Sequence, residues 1–219
     1  MVKFAIGIPT LNRADLLVPS VLKYIEDFKD VEIHIIDNGN QDLKKLEEEY
    51  QNVYIHTQLK NLGVAGSWNL LCDLIFSNYD NVLLVNDDVY LGYTKDLVNQ
   101  VIDSYPPSLI QSHLNFSVFL LHRMLYKYIG RFDDDFYPAY YEDSDYLYRM
   151  KLEGVKQEVD IRLNPKDARV SQTYEKAPEF VNDSMKYNRQ KYIDKWGDIP
   201  LLEKFKTPYG KDYRNDSKS

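Results

Sequence analysis

Cysteine is nearly absent: Cys72 is the only one among 219 residues. That excludes an intrachain disulfide and fits a reducing compartment. Cys72 sits in an apolar helical stretch and reads as a small core residue. No apolar run approaches the roughly 18 residues that a membrane helix needs. Met1 leads almost directly into the strand-like Phe4–Ile8, which leaves no space for a signal peptide. Both points make the expected location the cytoplasm, with membrane contact at most peripheral. Positive charge is short as well: 27 Lys and Arg stand against 34 Asp and Glu, a net charge of −7. A nucleic-acid partner held by bulk charge is thereby disfavoured. Internal repeats and low-complexity linkers are lacking too.

Hydrophobic residues make up 44% of the chain, enough for the packed core of one sizeable α/β domain. Of the 19 tyrosines, many follow residue 125, in runs such as Tyr137, Tyr140, Tyr141, Tyr146 and Tyr148. Aromatic faces with a hydroxyl suit sugar rings, and they suit an ordinary half-buried surface equally.

The apolar pattern alternates between strand and helix. Val2–Ile8 reads as a buried strand. Leu16, Leu17, Val21, Leu22, Ile25 and Phe28 recur at helical spacing, with Pro19 in the first turn or at a kink. Strands are expected at Val31–Ile36, Val53–His56 and Val82–Val85, and helices at Asp42–Tyr50 and about Ser67–Phe76. This order implies a mainly parallel sheet with helices on both faces. In such sheets ligands sit beyond the carboxyl ends of the strands. Pro9–Arg13, Asp37–Asn40 and Asn86–Asp88 each follow a strand and should converge on one edge. Further on, Phe116–Leu121 reads as a strand, followed by a helix to about Ile129 and a loop, Gly130–Tyr141. Glu142–Glu153 reads as a helix stopped by Gly154. A strand near Val155–Leu163 and a helix near Asn182–Trp196 complete the pattern.

Asn86-Asp87-Asp88 is the strongest feature. Two adjacent carboxylates at the end of a buried strand repel each other and lose solvation, a costly arrangement unless a cation is present. Oxygen ligands select Mg²⁺ or Mn²⁺, ions that also bind substrate phosphates. A solvated turn explains the same residues. Asp37 can accept from a base N–H and Arg13 can pair with phosphate, or they are a turn residue and a surface charge. The stretch Asn61–Asn69 places Gly63 and Gly66 before a helix, where a ligand could approach backbone N–H groups, although a plain turn also fits. Glu142, Asp143 and Asp145 open a helix, where the macrodipole favours acids; one of them could instead be a general base.

In order and spacing these clusters resemble the GT-A glycosyltransferases, specifically the inverting family 2-like group. The matching residues are Pro9-Thr10-Leu11-Asn12-Arg13, Asp37-Asn38-Gly39, Asn61–Asn69 and Asn86-Asp87-Asp88. They continue with Gly130-Arg131-Phe132-Asp133, Tyr141–Asp145 and Lys195-Trp196-Gly197. Size and character also resemble capsid-glycan glycosyltransferases of large algal viruses, which would place the enzyme in host cytoplasm.

The resemblance implies a GT-A (Rossmann-like) α/β fold with a small additional sheet in the acceptor half. It implies one domain: about 1–105 for the nucleotide-sugar, about 106–200 for acceptor and catalysis, and 201–219 as a polar tail. Pro9, Thr10, Arg13, Asp37 and Asn38 would hold the nucleoside and its phosphates, and Gly66 and Asn69 would line the ribose and base. Asn86-Asp87-Asp88 would be the DxD element, with Asp88 the direct ligand of Mn²⁺ or Mg²⁺ and Asp87 beside it. Asp143 would be the catalytic base, with Glu142 its understudy, and Asp133 would contact a sugar. The implied reaction moves a sugar from a UDP-sugar to a glycan or glycoprotein hydroxyl with inversion.

Two departures stand out. Asn86 replaces the first Asp of DxD. The histidines are His34, His56, His113 and His122, so Val170-Ser171-Gln172-Thr173 lacks the metal-binding His that many relatives carry there. A non-catalytic nucleotide-sugar- or carbohydrate-binding domain of a larger protein is the alternative from another class. A nucleotidyltransferase is the nearest enzyme alternative, but Pro9–Arg13 is not its glycine-rich basic loop.

Overall fold

The computed structural model describes residues 2–168 and 178–211. Seven strands form one sheet: β1 (Phe4–Thr10), β2 (Ile33–Asp37), β3 (Val53–Thr57), β4 (Asn81–Val85), β6 (Leu109–Ser112), β7 (Asn115–His122) and β8 (Glu158–Val159). Their order is β3-β2-β1-β4-β7-β6-β8. Every neighbouring pair is parallel except those made by β7, which runs against both β4 and β6. The fold is thus the expected mainly parallel α/β sheet flanked by helices.

Alternation along β1 decides which helix packs on which face. Phe4, Ile6 and Ile8 turn toward α1 (Ala14–Asp27), α2 (Lys44–Glu49) and α4 (Lys95–Ser104), in a core that includes Leu17, Val21, Leu46 and Val98. Ala5 and Gly7 turn toward α3 (Gly63–Ile75) on the other face, where Trp68, Leu71 and Cys72 are buried. A Cβ on Gly7 would stand 3.1 Å from Leu71 Cδ1 of α3, so the residue's smallness sets how closely α3 approaches the sheet. Cys72 is buried in this core, as its apolar setting predicts. The same face carries α5 (Arg123–Ile129) and α6 (Glu142–Leu152). A smaller aromatic cluster of Phe136, Tyr148, Tyr192 and Trp196 joins α6 to α7 (Pro178–Trp196).

One local expectation is corrected. The strand expected near 155–163 shrinks to β8 followed by a 3-10 turn, Ile161–Leu163. Asp160 bends the chain there by accepting from the Arg162 backbone N–H at 2.9 Å while the Arg162 guanidinium closes on the same carboxylate. Helix α4 and strand β6 were not anticipated: α4 buries only Val98 and Val101, and β6 is four residues long. The additional sheet pairs β5 (Val89–Tyr90) with β9 (Asp167–Ala168), so it ties the first half of the chain to the second. Among the described residues no helix is long and apolar enough to cross a membrane.

Candidate functional site

The strand order reverses beside β1: the chain passes outward to β2 and β3, then returns to place β4 on the other side. Such a switch point opens a crevice between the two loops that leave it. Here those loops are residues 11–13 after β1 and 86–88 after β4. One hydrogen bond spans the crevice, from Thr10 Oγ1 to Asp87 Oδ2 at 2.7 Å. Next to Thr10, β2 delivers Asp37 in register. The structure therefore brings the ends of β1, β2 and β4 to one edge.

Electrostatics at this edge favour a cation. Burial pushes the Asp87 carboxyl up to about 6; the Thr10 hydroxyl opposes this, neighbouring Asp88 adds to it, and Arg13 opposes it. Asp88 also lines a cavity of about 120 Å³ with Asp15, Ser20, Lys23 and Tyr90. Arg13 is buried and its Nε donates to Asp15 at 3.0 Å. Two adjacent carboxylates, one of them resisting ionisation, fit a hard divalent ion whose charge would offset that cost. A larger cavity of about 320 Å³ lies at the opposite edge, lined by residues such as Lys3, Asn81, Tyr105 and His122. It is remote from these carboxylates.

The loop after β2 is held from within. Asp37 is fully buried and accepts from Gly39 N at 3.0 Å, Gln41 N at 2.7 Å and Gln41 Nε2 at 3.1 Å. Gln41, which sequence reasoning missed, also accepts from Ala14 N at 2.6 Å, so it fastens the β2 loop to the start of α1. Its one sequence signal is a position four residues past a strand-ending Asp. Gly39 is required because a Cβ there would lie 2.3 Å from Asn12 Oδ1. The Asn38 amide donates to Ser67 Oγ at 2.9 Å and its Oδ1 accepts from Leu62 N at 2.9 Å, joining this loop to α3.

The N-terminus of α3 is likewise occupied by protein groups. Gly63 N donates to Asn61 Oδ1 at 2.8 Å and Val64 N to Pro138 O at 2.8 Å. Gly63 has φ +70°, and a Cβ on it would stand 2.8 Å from that same Pro138 oxygen. The small residues before α3 thus admit a neighbouring loop. Gly66 is partly exposed on the first turns of the helix. Asn69 lies behind the site: it is 1% exposed, its Nδ2 donates to Phe132 O at 2.9 Å, and its Oδ1 accepts from Phe132 N at 2.9 Å and from Tyr126 Oη at 3.1 Å. Its side chain is a strap, not a wall of the crevice. Replacing Asn69 by Ala should strand three buried partners and cost about 2–4 kcal/mol in urea unfolding, with the midpoint falling and the slope unchanged.

The second acidic group opens α6. Tyr140 and Tyr141 both carry positive φ, 78° and 76°, immediately before Glu142. Non-glycine residues in this region cost on the order of 1 kcal/mol or more each, so surrounding contacts must hold them. Asn188 of α7 supplies some, donating from Nδ2 to Ala139 O at 2.7 Å and to Tyr137 O at 3.3 Å. The ring of Tyr192 meets that of Tyr141 at 5.6 Å. Lys195 is buried and ion-pairs with both Asp133 and Asp145 at 2.6 Å, while Trp196 Nε1 donates to Asp145 at 2.9 Å. Asp145, 0% exposed and paired with Arg149 as well, is therefore an anchor for α6. Asp133, Asp134 and Asp135 bring carboxylates within 4.8 Å of one another, but Lys195 already neutralises Asp133.

Glu142 and Asp143 remain as the acids with chemistry to spare. Burial pushes the Glu142 carboxyl up to about 8, with Asp143 adding to it, and Glu142 Oε2 is a buried oxygen with no hydrogen-bond partner. Burial also raises Asp143, against hydrogen bonds from the Ser144 backbone N–H at 2.6 Å and the Ser144 hydroxyl at 3.3 Å. Since Glu142 is raised in the folded state, its contribution to stability is full below about pH 4.5 and lost as pH rises through about 8. Thermal midpoints should accordingly fall between about pH 4.5 and 8. Glu142→Gln should flatten that fall and raise the midpoint at pH 9 by several degrees, from about 1–3 kcal/mol of relieved desolvation.

No protein-family model matches the sequence, and neither does any curated protein sequence. Solved structures do. A mannosyltransferase from Pyrobaculum calidifontis, in complex with GDP-Man and Mn²⁺, matches at TM-score 0.66 and 14% identity over 87% of this chain. The fold is one shared with a sugar-transfer enzyme. S. aureus TarS 1–349 matches at TM-score 0.59 and 16% identity over 88% of this chain. The chain spans 64% and 66% of the length of those two structures. The segment 170–173, where the metal-binding His is missing, lies outside the described residues.

Proposed function

We propose that the chain transfers a sugar from a nucleotide-diphosphate sugar to an acceptor hydroxyl, with inversion at the anomeric carbon. The observation that carries this reading is the Asp87–Asp88 pair at the switch point, bonded across it to Thr10. It is supported by a fold shared with a mannosyltransferase that holds GDP-Man and Mn²⁺. Asp88, with Asp87 beside it, would hold Mn²⁺ or Mg²⁺, which when bound offsets charge on the diphosphate. Thr10, Arg13 and Asn86 line the diphosphate; Pro9 and the loop braced by Asp37 and Asn38 form the nucleoside wall, and Gly66 its exposed margin.

Asp143 takes the proton of the acceptor hydroxyl as its oxygen attacks from the face opposite the nucleotide, and one displacement inverts the centre. Glu142, protonated at neutral pH, stays an uncharged neighbour that leaves the base role to Asp143. Residues 1–105 would serve the donor and 106–200 the acceptor, in one domain acting in the cytoplasm. Uridine is the first donor base to test, and guanosine the second because of the mannosyltransferase's GDP-Man. Glycoprotein glycans, as on viral capsids, are the first acceptors.

A donor-binding domain without turnover is the second reading. It is favoured by Asn86 and by the internal use of the Asp37, Asn38 and Asn69 side chains. Release of free nucleoside diphosphate on mixing donor, Mn²⁺ and acceptor separates the two: release above the acceptor-free control supports transfer, and stabilisation by donor without release supports binding alone.

A further inference from the structure

The outer strands carry a line of polar groups that sugar transfer does not use. In the parallel register of β2 and β3, His34 faces Tyr54 and Ile36 faces His56, which puts both histidines on the same face of the sheet. Nδ1 of His34 stands 3.1 Å from Nε2 of His56, and the two ring planes are parallel to within 2°. On its other side, Nε2 of His34 lies 3.2 Å from Glu32 Oε2. The Tyr54 ring stacks on His34 at 4.9 Å.

These contacts settle where the protons lie. An ionised carboxylate only accepts, so His34 keeps a proton on Nε2 and turns a bare lone pair at Nδ1 toward His56. His56 then donates from Nε2. Burial lowers both histidines from their ordinary range, so the pair is neutral at pH 7 and ligand-competent.

We propose that His34 and His56 bind a nitrogen-preferring divalent transition ion, of the Zn²⁺, Ni²⁺ or Cu²⁺ class, at a site separate from the Asp87–Asp88 carboxylates. A nitrogen spacing near 3.1 Å is what two metal–nitrogen bonds of about 2.0–2.1 Å span at an angle of roughly 100°. Imidazole suits this class of ion, whereas oxygen ligands suit Mg²⁺ and Mn²⁺. Glu32 completes the carboxylate–histidine–metal arrangement that fixes the tautomer and raises ligand basicity. On binding, the proton on His56 Nε2 moves to its Nδ1 and the rings turn until both lone pairs meet the ion, with water in the other positions. Glu47 lies close enough to act electrostatically on His56. The ion would cross-link β3, an edge strand, to β2.

The test is isothermal titration of the whole chain with Zn²⁺ in excess Mg²⁺, which keeps oxygen sites filled, together with Cu²⁺ electron paramagnetic resonance. Expected are one Zn²⁺ per chain, two-nitrogen coupling in the copper spectrum, and affinity at least about tenfold weaker in His56→Ala and in Glu32→Gln. His113→Ala should bind as the parent does. Equal affinity in the parent and His56→Ala, coupling to fewer than two nitrogens, or no Zn²⁺ binding overturns the proposal. Should His56→Ala fail to fold, Glu32→Gln and the copper spectrum of the parent decide it. None of these readouts uses turnover, so they stand apart from the question of sugar transfer.

Discussion

Asp143→Asn should lower the rate of sugar transfer by about 10²–10⁴-fold while donor affinity stays within about twofold of the parent. The substitution keeps the size of the side chain and an oxygen to accept the two Ser144 hydrogen bonds, so α6 should start as before. What it removes is the capacity to take a proton. Since burial raises the Asp143 pKa, the residue gains its charge above the ordinary carboxylate range, and the acid limb of the parent's pH–rate profile should lie correspondingly high. Glu142→Gln should retain most activity, because Glu142 is protonated up to about pH 8 and serves as a neutral neighbour. Single-turnover kinetics across pH 5–9 check both variants. Normal turnover by Asp143→Asn would remove the base from that position.

Asp88→Ala should abolish stabilisation by Mn²⁺ and nucleotide-sugar together. A ligand at about one hundred times its dissociation constant adds about 2.7 kcal/mol, which for a domain of this size is roughly 5–10 °C in thermal midpoint. The parent should show that shift only when ion and nucleotide are both present, and the variant neither. A panel of UDP- and GDP-sugars with and without Mn²⁺, read by differential scanning fluorimetry, measures this and names the donor base. An unchanged ligand shift in Asp88→Ala would move the ion elsewhere.

Much of the fold was legible because burial writes a period into the chain. Strands β1, β2 and β4 are short apolar runs closed by Pro, Asp or Asn, and β7 is a largely apolar run near Phe116–Leu121. Helix α4 packs Val98 and Val101 on the core with Leu97 and Ile102 half-buried beside them, a stripe that spans only ten residues and so is short to read. The stretch 155–163 misled because apolar content there serves a turn organised by the Asp160–Arg162 pair, and such pairing leaves no periodic trace.

The site was legible in a different way. The placement of Thr10, Asp37 and Asp87 at adjoining strand ends follows from strand order, which alternation implies. What each side chain does there does not follow. Asn69 and Asp37 have ligand-binding chemistry, yet their bonds run to Phe132 and to Gln41. Hydrogen-bond partners far apart in sequence depend on loop geometry, and one residue type serves either use.

The amino-acid order by itself determined the layered α/β architecture, the edge at which polar loops gather, and the pairs of acids at 87–88 and 142–143, because hydrophobic period and strand termination are local properties. Tertiary structure alone decided the rest. It raised Glu142 and Asp87 by burying them, joined Lys195 to Asp133 and Asp145, and aligned His34 with His56 and Glu32. The physical reason is that desolvation and side-chain pairing depend on which groups distant segments bring together.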